Sequence, residues 1–116
     1  MNCGIEVLKR LNELIDTELK EVICRCEKKI GENGLCMSDL FEELNLVLPC
    51  QAVSSLHLIK KTPYIAFIGF DHHGHYVLVE DVQKKVRVYD PAKGFLKMTK
   101  FHFYMIWSKK AIVFML

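Results

Sequence analysis

The sequence contains no long apolar run and no recognisable targeting segment. Apolar stretches such as 65–70 and 111–116 are far shorter than the roughly 18 residues that a membrane-spanning helix requires. The amino terminus lacks the basic and then apolar pattern of a secretory signal. We therefore expect a soluble protein without a membrane span.

The chain also lacks an even set of cysteines, internal repeats, low-complexity tracts and proline-rich linkers. Its five cysteines form no recognisable disulfide framework, so we expect a reducing, cytoplasmic environment. With 116 residues, of which 51% are hydrophobic and 26% charged, the chain suits one compact domain that spans 1–116.

A strong excess of one charge is absent, and so is a motif for a cofactor or a metal. Sixteen basic and fourteen acidic residues give a net charge of +2, with the lysines scattered in pairs, so we expect no nucleic-acid partner. His72, His73 and His75 surround Gly74, but neighbouring positions on a tight hairpin diverge. Because no other ligand set has familiar spacing, we predict neither a metal nor another cofactor.

Apolar residues at helical spacing dominate the first part of the chain. Ile5, Leu8 and Leu11 begin one such series and a second continues to Ile30, which predicts two helices or one bent helix over about 3–30.

A third helix is predicted after the glycine-bounded break at 31–34. Asn33 or Ser38 can cap its start, Leu40 and Leu44 supply a stripe for burial, and Asn45 offers a left-handed stop.

Beyond Pro49 the sequence changes to short runs of β-branched and aromatic residues, which predict strands. Helices first and strands second indicate an α+β fold, with amino-terminal helices packed on a carboxy-terminal antiparallel sheet. The predicted strands cover 50–54, 64–70, 75–82, 86–90 and 111–116.

Two further helices are predicted among these strands. One is a short helix over 55–61. The other is capped by Thr99 and runs to about Trp107, since Phe101, Met105 and Ile106 lie near one face.

Three residues suggest a cysteine nucleophile. Cys3 stands at the start of the first predicted helix, where backbone N–H groups and the helix dipole favour a thiolate. His75 begins one predicted strand and Asp90 ends the next. A thiol, an imidazole and a carboxylate that orients the imidazole are what thiolate chemistry requires.

The two strands place His75 and Asp90 together if their valines point into the core. Side chains alternate along a strand, so His75 shares a face with Val77 and Asp90 shares a face with Val88. This arrangement requires an even number of residues in the loop around 83–85, because an odd number would turn one strand over.

Simpler interpretations exist for each of these residues. A cysteine is more often a small buried hydrophobe than a nucleophile, and Asp90 in the segment Asp-Pro-Ala-Lys-Gly can cap a turn. The other cysteines and the late aromatic residues are interpreted as core residues: Cys24, Cys26, Cys36, Cys50, Phe101, Phe103 and Trp107.

Several segments resemble the C39 peptidases, papain-like domains that cut bacteriocin and pheromone leaders after a double glycine. The segment HYVLVEDVQKKVRVYDPAKGFLKMTKFHFYMIW, followed by AIVFM, is similar to the family's histidine strand, its Asp-Pro-Ala turn and its terminal helix and strand. ENGLCMSDLFEELNLVLPCQA and TPYIAFI match the family's middle region. Cys3-Gly4 matches the nucleophile motif.

The resemblance implies Cys3 as nucleophile, His75 as general base and acid, and Asp90 as orienting carboxylate. Family members usually carry an oxyanion-binding glutamine several residues upstream of the nucleophile, whereas this sequence begins two residues before Cys3. Asn2 stands where the family commonly has aspartate, and it can cap the helix or contribute its amide to the oxyanion site. If no donor replaces the glutamine, activity is expected to be poor.

The resemblance therefore implies a cysteine endopeptidase that cleaves a leader peptide at a Gly-Gly-like site. Two alternatives remain open: a C39-like module that binds the leader without cutting it, and a thiol acyltransferase. The family's best-known members belong to ABC exporters. Because this sequence ends at Leu116, we expect a stand-alone protein; the alternatives are a fragment and a domain whose exporter lies on a separate chain.

Overall fold

The computed structural model describes residues 2–32, 34–69 and 74–115. Within these ranges it has four helices and six strands, which confirms the predicted α+β fold with an antiparallel sheet. In chain order the elements are α1 (Cys3–Leu14), α2 (Lys20–Glu27), α3 (Met37–Asn45), β1 (Cys50–Ser54), β2 (Tyr64–Ile68), β3 (His75–Val82), β4 (Lys85–Asp90), β5 (Gly94–Thr99), α4 (Lys100–Ile106) and β6 (Trp107–Phe114).

The described strands form one antiparallel sheet in the order β1-β6-β2-β3-β4-β5. The last strand in sequence, β6, lies between β1 and β2, while β3, β4 and β5 follow each other as a meander. As a result β3 lies in the middle of the sheet, with β2 and β4 as its neighbours.

Apolar side chains are buried on both sides of the sheet. Helices α1, α2 and α3 cover one side, where Leu8 and Leu11 of α1 are fully buried in the same cluster as Leu78 of β3. Helix α4 covers the other side through Phe103, which packs in a cluster with Val77 and Val88. Strands buried on both sides explain why their sequences contain runs of consecutive apolar residues.

The third helix differs from its predicted ends. Its first cap position is held by Cys36 rather than Ser38, and the Asn33 alternative lies outside the described residues. Asn45 is the last helical residue and Leu46 after it keeps a right-handed backbone, so the left-handed stop was wrong. The Asn45 side chain instead accepts a hydrogen bond from the backbone N–H of Cys50 at 3.3 Å.

Two predictions in the second half also need correction. No helix forms over 55–61, a segment that lies as a loop with Leu58 and Ile59 packed against the sheet. Strand β5 was missed, although Leu96 and Met98 alternate with more exposed neighbours as a strand requires. Gly94 and Lys97 have low strand propensity, which hides the strand in the sequence. Pairing with β4 stabilises the strand in spite of this low propensity.

Helix α4 begins as predicted but turns its apolar stripe outward. Thr99 caps it by accepting a hydrogen bond from the N–H of His102 at 3.1 Å. The buried side consists of Phe103 and the following Trp107, whereas Phe101 and Met105 are 75% and 56% exposed. The spacing alone could not show which of two apolar faces would meet the sheet.

Leu8→Ala tests how strongly the packing of α1 on the sheet stabilises the fold. Removing this fully buried side chain should lower the free energy of unfolding by about 2–5 kcal/mol, through lost burial and the cavity left behind. Urea unfolding measures the change. The matched variant Leu46→Ala, at a position that is 70% exposed, should change it by less than about 0.5 kcal/mol.

Candidate active site

The first turn of α1 holds Cys3 in a defined position. Asn2 precedes the helix in an extended conformation, and its Oδ1 accepts a hydrogen bond from the N–H of Ile5 at 3.1 Å. This contact satisfies one of the free N–H groups at the helix start. Because the oxygen of Asn2 is engaged in capping, its amide nitrogen is the group that remains for other contacts. That nitrogen lies next to Gly34, since a Cβ added at Gly34 would be 3.7 Å away from it.

His75 and Asp90 are brought together as the strand pattern predicted. Nε2 of His75 lies 3.0 Å from Oδ2 of Asp90, and the carboxylate is almost completely buried. The other carboxylate oxygen accepts a hydrogen bond from the N–H of Ala92 at 2.9 Å. Asp90 therefore caps the turn and binds the imidazole at the same time, which combines the two interpretations of this residue.

The register of β3 and β4 explains this meeting. Leu78 pairs with Tyr89 and Val79 with Val88. Continuing this register places Val77 opposite Asp90, and His75, two residues before Val77, lies on the same face of the sheet. At the turn, however, Val82 pairs with Val86, which encloses three residues instead of an even number. A β-bulge between Val79 and Asp81 absorbs the extra residue and keeps both valine sets on one face.

The bulge residue Glu80 also ties α1 to the sheet. Its carboxylate accepts hydrogen bonds from Nε and Nη2 of Arg10 at 2.8 and 3.0 Å, a two-point geometry that fixes both partners. Arg10 stands on α1 and Glu80 on β3. The helix that begins with Cys3 is thereby held against the strand that begins with His75.

Cys3 and His75 line the same cleft, which has a volume of about 660 Å³. Among the described residues no hydrogen bond joins the thiol to the imidazole directly. When the neutral imidazole donates its Nε2–H to Asp90, Nδ1 carries no proton and can accept a hydrogen bond. Nδ1 is therefore the nitrogen available to the thiol. Such contacts are often long before a substrate binds.

Burial raises the pKa of the Cys3 thiol above its usual range, and the negative charge of Asp90 raises it further. The backbone N–H of Cys3 at the helix start lowers the pKa, but less strongly. The helix start therefore favours the thiolate as expected, but burial outweighs this effect, so that position alone does not activate Cys3. Desolvation outweighs the partial charge of the helix end, so ionisation of Cys3 needs a base.

Part of the cleft wall is apolar and closely packed, although Glu32 and Lys110 also line the cleft. Tyr76 donates a hydrogen bond from its hydroxyl to the carbonyl of Leu35 at 2.8 Å, and its ring meets the ring of Phe67 edge-on. A side chain at Gly74 would overlap the ring of Phe67, and one at Gly4 would lie 3.1 Å from Leu35. Glycine at both positions lets the two walls approach the backbone closely.

The sequence did not point to these wall residues. Leu35, Phe67 and Tyr76 look like ordinary core residues in the pattern, and only the distant contacts between them show that they shape a cleft. Cys3-Gly4 and Gly74-His75 carried the one available signal, a glycine directly beside a candidate site residue, since glycine often marks a close approach.

The remaining cysteines divide into buried and exposed pairs. Cys26 and Cys50 are buried, and desolvation raises the pKa of each thiol to about 11. Cys24 and Cys36 are exposed, so their interpretation as packing residues was wrong. Cys36 also lines the cleft that contains Cys3.

The histidine cluster around Gly74 lies only partly within the described residues. His72 and His73 lie outside the described residues. Among residues 2–32, 34–69 and 74–115, no group of three or more His, Cys, Asp or Glu side chains could hold a metal ion. In the same ranges, every helix is too short or too polar to cross a membrane.

Comparison with known proteins gives one family and several similar structures. The model of the Peptidase C39 family matches residues 1–115. A double glycine motif protease from an AMS/PCAT transporter, in complex with its leader peptide, superimposes with a TM-score of 0.79 at 18% identity, covering 97% of this chain and 83% of that one. None of the curated proteins matches significantly.

Two further similar structures are peptidase domains of ComA. The domain of Streptococcus ComA, a bifunctional ABC transporter of a quorum-sensing pathway, has a TM-score of 0.77 at 19% identity, covering 96% of this chain and 88% of that one. The domain of Streptococcus mutans ComA has a TM-score of 0.67 at 22% identity, covering 95% and 88%. These similarities show that the fold is shared.

Asp90→Asn tests the electrostatics of the cleft. Because the charge of Asp90 raises the pKa of Cys3, its removal should lower that pKa, so that the thiolate forms at a lower pH than in the unchanged protein. The rate of iodoacetamide modification of Cys3, followed across pH by peptide mass mapping, measures this. Asp39→Asn, which removes a carboxylate elsewhere, should leave the profile unchanged. A rise in the pKa of Cys3 would instead show that Asp90 acts by stabilising a protonated His75 beside a thiolate.

Proposed function

The chain belongs to the C39 peptidase family, and on this premise we propose that it is a cysteine endopeptidase that cleaves a leader peptide after small residues. The observation that carries the proposal is the arrangement of one cleft. His75 is bound through Nε2 to the buried Asp90, and its ring lines the cleft together with Cys3. Nucleophile, base and orienting group are the three parts of such a site.

The raised pKa of Cys3 supports a role for His75 as the general base. The thiol is protonated in the resting site, so Nδ1 of His75 takes its proton as the sulfur attacks the scissile carbonyl. The imidazolium that forms is stabilised by Asp90 and then protonates the leaving amine. Water, activated by the same nitrogen, hydrolyses the thioester and restores the thiol.

The developing oxyanion needs hydrogen-bond donors at the helix start. The backbone N–H of Cys3 lies there, and the amide nitrogen of Asn2 is a second candidate, because its oxygen is engaged with Ile5. Asn2 lines the same cleft as Cys3. We therefore assign this role to Asn2. One oxyanion donor contributes about 3–4 kcal/mol of transition-state stabilisation.

The close approach of the cleft walls to the backbone beside Cys3 and His75 supports a preference for small residues at the cut site. Leu35 and Phe67 lie in its walls and are held by Tyr76, while Gly4 and Gly74 flank the two reactive residues. Substrate glycines would pass between these walls without a side-chain clash. This agrees with the double glycine motif named for the similar transporter protease.

The family also suggests a setting for the protein. We propose that residues 1–116 form one peptidase domain that works on the cytoplasmic side of a membrane together with an ABC exporter. The support is that similar domains are described as parts of ABC transporters. Purification of the protein together with a candidate exporter tests this arrangement.

A binding module without catalysis is the second candidate. The observation that favours it is the raised pKa of Cys3, which leaves little thiolate at neutral pH unless His75 takes the proton. In that case the cleft would hold a leader peptide without forming a thioester. Chemical reactivity therefore separates the two functions.

Cleavage of matched peptides tests the proposed activity. A peptide with Gly-Gly at the cut site should be hydrolysed, and one with Val-Val there should not, as measured by mass spectrometry of the products. Cys3→Ala should reduce kcat by about a thousandfold or more. Cys36→Ser, which changes the other cysteine of the cleft, should retain activity. A protein that binds the Gly-Gly peptide but leaves it intact would be the binding module instead.

Asn2→Asp tests the oxyanion role separately from helix capping. Aspartate keeps the capping oxygen but removes the amide donor, so the helix should remain stable while kcat falls by about a hundredfold. Steady-state kinetics and thermal unfolding measure the two effects. Equal activity of the two proteins would exclude the Asn2 amide as an oxyanion donor.

A further inference from the structure

Charge is divided unevenly along this chain. Segment 1–48 has ten acidic and six basic residues, whereas segments 49–70 and 83–116 together have ten basic residues and a single acidic one, Asp90. Because Asp90 is buried against His75, it contributes no negative charge at the surface. The small net charge of the whole chain conceals this division.

The fold places the acidic helices and the basic residues of the loop 55–63 and α4 on opposite sides of the sheet, whereas Arg87 and Lys97 lie near Arg10 on the α1 side. The acidic segment forms α1, α2 and α3 on one side of the sheet, while the loop 55–63 and α4 lie on the other side. The hydroxyl of Tyr104 on α4 donates a hydrogen bond to the carbonyl of Leu56 at 2.7 Å, so loop and helix adjoin. Lys60 and Lys61 on the loop are exposed.

The outermost positions of α4 are apolar instead of polar. Phe101 and Met105, one helical turn apart, are 75% and 56% exposed on the side opposite the buried Phe103, and Leu56 on the adjoining loop is 77% exposed. A surface helix normally turns charged residues to this side. The surface formed by Leu56, Lys60, Lys61, Lys100, Phe101 and Met105 is here called the α4 surface.

We propose that the α4 surface docks on a membrane that contains anionic phospholipids. Exposed apolar side chains can enter the boundary between headgroups and acyl chains, and lysines around them attract acidic headgroups. Each lysine near such a surface raises partitioning about fivefold. Among the described residues of the loop and α4 no carboxylate opposes this attraction, and the acidic helices lie on the far side of the sheet.

A nucleic acid would use the same lysines but not the same apolar groups. Phosphate contacts need cations and polar donors, whereas Met105 and Leu56 have nothing to contact on a phosphate backbone. An anionic lipid surface uses both features of the α4 surface. The proposal does not depend on the peptidase activity, because none of these residues lines the cleft of Cys3.

Vesicle sedimentation tests the docking. The protein should sediment with vesicles of phosphatidylcholine and phosphatidylserine at about 0.15 M salt, less so at about 1 M, and little with phosphatidylcholine alone. The double variant Phe101→Ser with Met105→Ser should lower the partition coefficient about tenfold or more, and so should Lys60→Glu with Lys61→Glu.

Two matched controls change the opposite side of the protein. Leu46→Ser removes an equally exposed apolar residue, and Lys20→Glu with Lys28→Glu reverses the same number of charges on and beside α2. Both should sediment like the unchanged protein. Circular dichroism verifies that each variant is folded.

Several results would overturn the proposal. These are no sedimentation with the anionic vesicles, equal sedimentation with neutral ones, and equal losses for the controls and the α4-surface variants. Binding of a duplex oligonucleotide through Lys60 and Lys61, without vesicle binding, would assign the surface to nucleic acid instead. The charge variants keep the test decisive even if the apolar variants do not fold.

Discussion

The register between β3 and β4 is the constraint on which the candidate site depends. It places His75 and Asp90 on one face at one end of the sheet, where Nε2 meets the buried carboxylate at 3.0 Å. The bulge at Glu80 is part of this constraint, because it corrects the register before the strands reach the site. Glu80 then binds Arg10, so the same irregularity also positions the helix that begins with Cys3.

Burial has opposite effects on two members of the site. It lets Asp90 hold the imidazole firmly, since little water competes for the carboxylate. At Cys3 it disfavours the thiolate and outweighs the helix start. In the proposed mechanism, such a site keeps Cys3 protonated until His75 acts as its base, which links reactivity to the placement of His75.

Much of the architecture could be read from local patterns. The helices at the amino end, the strand that begins at His75 and the cap at Thr99 follow from apolar spacing and capping chemistry. The predicted helix stop at Asn45 and the predicted helix over 55–61 were wrong, and strand β5 was not predicted. Strand pairing and packing decide the structure of such short segments. For α4, periodicity identified an apolar stripe without indicating that Phe101 and Met105 face outward.

The sequence by itself determined the class of fold, the helix-start position of Cys3 and the common face of His75 and Asp90. All three depend on local spacing, which fixes which side chains point the same way. Only the tertiary structure decided that Cys3 enters the cleft of His75, that Leu35 and Phe67 form its walls, and that burial raises the thiol pKa. These features arise from contacts between residues far apart in the chain, and local periodicity carries no information about which surfaces will meet.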